Sequence, residues 1–309
     1  MKPFSQHLDD YLAYATTANQ SAVHVRQVKF VELRMLRWLH EQYGITAPEK
    51  LTPQHLDAWV RHYSSRTTGR GLPLKATSIS KQFQCDRTFL KWLGKIGALH
   101  ERYFEKVPLV KIPFRLPTGV LSHKQVEKLL SYVDTSTAAG IQFRAILEFL
   151  YSSGVRVSEL LGLNLQDIDL SNRTAHIVGK GAKERMVTFG ATARKYLETY
   201  LRSIRPLRLR VQSEQGVWLD AGCERLPYHT LRRQLIELVA KASMSVEVTA
   251  HTFRRSFTTE MLRGGANPYH VAELLGHRDM ETMKNYAKLT IVDLKKTHAK
   301  CHPRERERQ

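Results

Sequence analysis

Cysteine is scarce in this 309-residue chain: only Cys85, Cys223 and Cys301, widely spaced and with no C-x-x-C pair. That excludes a disulfide scaffold and a cysteine-based zinc site, and it suits a reducing cytoplasm. Long apolar runs are missing too. No stretch approaches the ~18 uninterrupted apolar residues of a spanning helix. The first fourteen residues carry Asp9 and Asp10 and lack the apolar core of a signal peptide. The phosphate-loop spacing G-x-x-x-x-G-K-[ST] does not occur, nor does an acidic cluster of the kind magnesium nucleases use. Cys301-His302 has no second ligand pair at metal spacing. Neither a metal nor a cofactor is therefore expected, and the expected location is cytoplasmic.

Acidic residues are in deficit. Forty-eight Lys and Arg stand against 29 Asp and Glu, leaving +19 and a pI near 9.9. A field of that sign attracts polyanions and speeds encounter with nucleic acid or an anionic membrane, although a merely basic soluble protein has the same balance. At this length two domains are expected. The first part reads as helices: Phe4 to Ala15, Val28 to Tyr43, a third opened by Thr52 as cap with Pro53 in first position, and Thr77 to Leu93 before Gly94. Between Lys106 and Gly119, Pro108, Pro113 and Pro117 break helical continuity and imply an extended linker. The expected division is thus a helical domain 1–105, a linker 106–119 and a second domain 120–309. Both sides of residue 112 are basic, with 17 Lys and Arg against 9 Asp and Glu before it and 31 against 20 after it. Two basic bodies on a strap suit a clamp around a duplex; two unrelated basic modules would give the same count.

The second domain is mixed. Ser122 caps a new helix, Ile141 to Tyr151 is an apolar helix ending at Ser152-Ser153-Gly154, and Thr174 to Val178 with Arg185 to Phe189 form a hairpin around a glycine-rich turn. From Tyr228 the pattern is helical again. The overall expectation is a mainly α protein with a small β-sheet.

Four local signals could carry chemistry. Gly154 breaks one helix and Arg156 opens the next, a favourable place for a phosphate; the plain alternative is a capping arginine paired with Glu159. Lys180 projects from the turn Gly179-Lys180-Gly181, or is simply a solvated hairpin lysine. His251 and Arg254 lie roughly 60° apart on one helical face, while Phe253 and Phe257 turn to an adjacent face and bury. Leu274-Leu275-Gly276-His277 ends a helix at a glycine cap, and Tyr286 follows nine residues after His277. Asp279 would cap the helix carrying Met280, Met283 and Tyr286, where Tyr286 alone could be a core aromatic.

Together these residues resemble the catalytic set of the tyrosine recombinase (phage integrase) family, and its Xer-like branch in particular. The order Arg156, Lys180, His251, Arg254, His277, Tyr286 is the family's order, and SSGVRVSELLGL, VGKGAKER, HTFRRSF and LLGHRDMETMKNYAKL resemble its motifs. The resemblance is specific over residues 120 to 300. It implies an N-terminal helical core-binding (SAM-like) domain and a C-terminal mixed α/β catalytic domain, with no extra arm-binding domain ahead of the helical bundle. It further implies Tyr286 as nucleophile, Arg156 and Arg254 on the scissile phosphate, and Lys180 protonating the 5′ oxygen. His251 would assist proton transfer and His277 would bond the phosphate. The partners implied are double-stranded recombination sites, bound by a homotetramer or with a paired homologous recombinase. The tail Leu294 to Arg304 looks like the Xer segment that docks on a neighbouring protomer. Three rivals remain open at this point: a type IB topoisomerase-like relaxing enzyme, a DNA-binding regulator with a decayed catalytic domain, and an RNA-binding module.

Overall fold

The computed structural model describes residues 2–18, 20–112, 119–179, 183–210 and 214–276. The chain divides into two compact units, Met1–Phe114 and Arg115–Gln309.

The first unit is a bundle of α1 (Phe4–Thr17), α2 (Ala22–Tyr43), α3 (Pro53–Ser65) and α4 (Ala76–Lys95). Each helix buries the stripe its spacing predicts: Phe4, Leu8, Tyr11 and Leu12 from α1, Met35 and Leu39 from α2, Leu56 and Trp59 from α3, Phe83, Phe89, Leu90 and Leu93 from α4. Thr52 and Pro53 open α3 as read from the sequence. Two of the boundaries that differ have a visible cause. Helix α2 starts six residues earlier than Val28, because Ser21 accepts a hydrogen bond from the His24 amide and caps it there. Helix α4 runs past Gly94, which sits against the chain at Glu101 instead of ending the helix. After a short 3₁₀ turn, Tyr103–Lys106, the buried Val107 closes this core, and Arg87 holds the turn by donating to the Phe104 and Val107 carbonyls.

A polar knot lies inside this apolar bundle. Asp86 is fully buried and accepts from Trp59 Nε1 and from Gln82 Nε2, each at 2.8 Å. Arg34 bridges Gln82 Oε1 and the Tyr63 hydroxyl. Burial pushes the Asp86 carboxyl up to about 7 despite those bonds. Glu32 is equally buried, and both its oxygens lack a hydrogen-bond partner among the described residues. Burial, and then the nearby Asp86, push it well above the ordinary carboxylate value.

The second unit is built on α6 (Ala138–Ser153), whose Ala145, Ile146, Leu147, Phe149 and Leu150 are fully buried. Around it stand α5 (His123–Ser131), α7 (Val157–Gly162), α8 (Ala191–Thr199), α9 (Tyr228–Lys241), α10 (Ala250–Arg263) and α11 (Pro268–Leu275). A three-stranded antiparallel sheet in the order β1 (Ile168–Asp169), β2 (Thr174–Val178), β3 (Glu184–Thr188) packs on the same core. The hairpin register pairs Ala175 with Val187 and Val178 with Glu184. Strand β1 is an addition to the sequence expectation. No helix among the described residues is long and apolar enough to cross a membrane.

Candidate active site

Helix α6 ends where the sequence indicates. Gly154 caps it in the left-handed region at φ 65°, and a Cβ there would lie 2.4 Å from Phe257 Cδ1, so the position needs glycine for both conformation and space. Two residues on, Arg156 is the N-cap of α7. The capping alternative read from sequence is realised: Arg156 donates through its backbone N–H to Glu159 Oε2 and through Nη1 to Glu159 Oε1, both at 2.8 Å. Yet its side chain keeps 39% of its surface exposed, so the pairing orients the guanidinium without burying it.

Helix α10 brings up the second arginine. Phe253 is fully buried and Phe257 nearly so, and these anchors fix the helix rotation. On the neighbouring face Arg254 is 3% exposed and donates to the Gly154 carbonyl through Nη1 and to the Leu275 carbonyl through Nη2, both at 2.6 Å. It thereby ties the α6 cap to the end of α11. His251, one turn earlier, is exposed on one side. Protein packed around its other side lowers its pKa, and the nearby Arg255, Arg254 and Arg156 repel a proton further, so the imidazole is neutral at physiological pH. The structure thus brings Arg156, His251 and Arg254 into one cationic neighbourhood. Such a cluster offers fork-shaped donors for a phosphate and an uncharged imidazole for proton transfer.

Glu159, read from the sequence only as a partner for Arg156, sits at the centre with Arg185, which the sequence reasoning did not single out. Glu159 has a side chain only 3% exposed and accepts four hydrogen bonds, two from Arg156 and two from Arg185 at 3.0 and 2.7 Å. Burial pushes its carboxyl up, but the bonds from Arg185 and Arg156 outweigh that and hold it at about 2. Arg185, on β3, also donates through Nε to the Leu274 carbonyl at 2.9 Å. The available signal was the strand alternation. Arg185 and Val187 share the inward face of β3 while Glu184, Met186 and Thr188 are exposed, so an arginine stands where an apolar residue belongs.

Helix α11 starts at Asn267, whose side chain accepts from the Tyr269 amide, and ends in Gly276 at φ 62° as expected. Lys180, His277 and Tyr286 lie outside the described residues, as do Asp279, Met280, Met283 and the tail from Leu294. The base of the Lys180 hairpin is described: Gly179 donates to the Lys183 carbonyl at 2.7 Å, and a Cβ at Gly179 would lie 3.2 Å from Glu159 Oε1.

Comparison with known proteins adds the family. Residues 119–291 match the model of the phage integrase family. The chain is 36% identical over 221 residues to Tyrosine recombinase XerC of Myxococcus xanthus, covering 71% of this chain and 73% of that protein. It is 30% identical over 269 residues to Tyrosine recombinase XerD of Lacticaseibacillus casei, covering 87% and 88%. Among solved structures it is similar to the Tn1549 transposon integrase in complex with transposon right end DNA, with TM-score 0.72, 17% identity, and 97% and 99% of the two chains covered. It is also similar to XerH site-specific recombinase bound to palindromic difH substrate, with TM-score 0.71, 19% identity, and 94% and 83% covered.

Proposed function

The chain belongs to the phage integrase family, and from that premise we propose that it is a site-specific tyrosine recombinase that cuts and rejoins DNA through a 3′-phosphotyrosyl intermediate and a Holliday junction. The observation that carries the reading is the gathering of Arg156, at the start of α7, with His251 and Arg254, on α10, into one neighbourhood. The named relatives favour strand exchange over topoisomerase-like relaxation. In this reading the helical first unit is the core-binding domain, residues 106–119 are the linker and residues 120–309 the catalytic domain.

A free phenol ionises near pH 10, so roughly one in a thousand is phenolate at neutral pH. Attack on phosphorus by Tyr286 needs its proton removed, and the neutral His251 suits that duty. Arg156 and Arg254 hold the non-bridging oxygens and stabilise charge redistributing in the transition state. Tyr286 Oη bonds to phosphorus as the bond to the 5′ oxygen breaks. Lys180 supplies the proton that makes the leaving group a hydroxyl, and His277 hydrogen-bonds the phosphate. The phosphotyrosyl ester keeps the energy of the broken phosphodiester, so a 5′ hydroxyl can reverse the step without ATP. The further assignments are a homotetramer on two DNA sites, or a mixed assembly with a homologous recombinase, in which Leu294 to Arg304 docks on a neighbouring protomer, and a cytoplasmic setting.

The test begins with a duplex selected by the full chain from a randomised library. With a nick placed to trap cleavage, wild-type protein should form a covalent adduct that survives denaturant. Tyr286→Phe should bind the same duplex with near wild-type affinity and form none. A wild-type protein that never forms the adduct, or an adduct persisting in Tyr286→Phe, overturns the assignment.

A further inference from the structure

Arg185 belongs to none of the groups that would touch a phosphate, yet it joins three elements of the catalytic unit. From β3 its Nη1 and Nη2 grip both oxygens of Glu159 on α7, and its Nε takes the Leu274 carbonyl at the end of α11. Its stem packs on the α11 cap: a Cβ at Gly276 would lie 3.1 Å from Arg185 Cδ. The side chain is 12% exposed, so water competes weakly for these bonds. Each contact faces a different part of the chemistry. Glu159 is the carboxylate that orients Arg156. Glu159 Oε1 also borders Gly179, the residue before Lys180. Leu274 is three residues before His277 and is followed by Leu275, whose carbonyl Arg254 holds.

We propose that Arg185 is a positioning residue for DNA cleavage, a three-way latch that sets the Arg156 helix, the Lys180 hairpin and the chain entering His277 in mutual register. This rests on the recombinase reading above. A lysine cannot replace it, because one ammonium cannot make two parallel bonds to a carboxylate while reaching a carbonyl in a third direction. Loss of the latch leaves the phosphate-binding groups present but displaced, which lowers the rate of the chemical step and spares DNA affinity.

The experiment uses the full chain and the library-selected, nicked duplex. Single-turnover adduct formation and DNA affinity are measured for wild type, Arg185→Gln, Arg185→Lys and Val187→Ala. Val187 is buried on the same inward face of β3 and makes no latch contact, so its truncation loosens the hairpin without touching Glu159 or Leu274. Both Arg185 variants should lose on the order of 10–100-fold in cleavage rate, the penalty of a displacement near 1 Å. Their DNA affinity should stay within about twofold of wild type, the split expected when only transition-state interactions are lost. Amide exchange at Gly179 and Gly276 should quicken in both, and Val187→Ala should keep its cleavage rate. The proposal is overturned if Arg185→Gln or Arg185→Lys cleaves within about threefold of wild type, or if Val187→Ala loses as much rate as they do. It is equally overturned if the loss lies wholly in DNA affinity. A wild-type protein that forms no adduct on the selected duplex removes the recombinase reading itself, and the amide exchange then tests the latch alone.

Discussion

Replacing Gly154 by alanine inserts a methyl group into the joint between α6, α7 and α10. Two costs follow. Residue 154 holds φ 65°, where an L side chain costs about 1–2 kcal/mol. The new Cβ would also stand 2.4, 2.8 and 3.0 Å from Phe257 Cδ1, Cε1 and Cγ, so the ring must shift. Overpacking of that kind costs about 1–3 kcal/mol. The sum is roughly 2–5 kcal/mol. With an m-value of ~2 kcal/mol/M, the urea midpoint should fall by roughly 1–2.5 M. Hydrogen exchange of peptides from residues 138–153, followed through a urea series, reports the second unit separately from the first. Phe257→Ala in the same background should recover the contact portion and leave the backbone portion. A midpoint that does not move would refute the reasoning, as would a double variant showing no coupling. Cleavage should also drop, because the Gly154 carbonyl that Arg254 grips shifts with the cap.

Two further outcomes are expected. The two units should respond oppositely to pH: the raised carboxyls of Glu32 and Asp86 contribute stability below the unfolded carboxylate value, and it is lost as pH rises, toward about 7 for Asp86. The depressed Glu159 contributes stability above the unfolded value, lost as pH falls toward about 2. Denaturant midpoints from α4 and α7 peptides between pH 3 and 8 check both signs, and Glu32→Leu should raise the first unit's stability and flatten its slope; an unchanged slope would count against it. Lys180→Ala should slow cleavage of ordinary DNA and be restored by a substrate with a 5′ thiol leaving group, whose lower pKa needs no acid; absence of rescue removes Lys180 from that role.

Much of the scaffold was legible because its signals are local. Gly154 and Gly276 announce helix ends through conformation alone, Thr52, Ser122 and Asn267 announce helix starts through capping, and the pair His251 and Arg254 follows from helical spacing. Glu159 and Arg185 were not legible as a unit. They are 26 residues apart, and the Leu274 carbonyl is a further 89 from Arg185, so no periodicity links them. Strand β1 escaped for a different reason: Ile168–Asp169 is too short to display alternation, and its partner β2 defines it. Helix α4 passed Gly94 because packing against Glu101 outweighs a modest helix propensity. The proposed nucleophile and general acid were legible only as order along the chain, since Tyr286 and Lys180 stand outside the described residues.

The end of α11 is gripped twice, on Leu274 by a strand and on Leu275 by a helix. The dipole of a helix leaves its last carbonyls partly negative, and two guanidiniums, from a strand and from a helix, offset that charge. Gly276 is therefore a fixed mooring, and it marks the natural graft junction: sequences exchanged beyond it inherit a departure point that the remainder of the unit already defines.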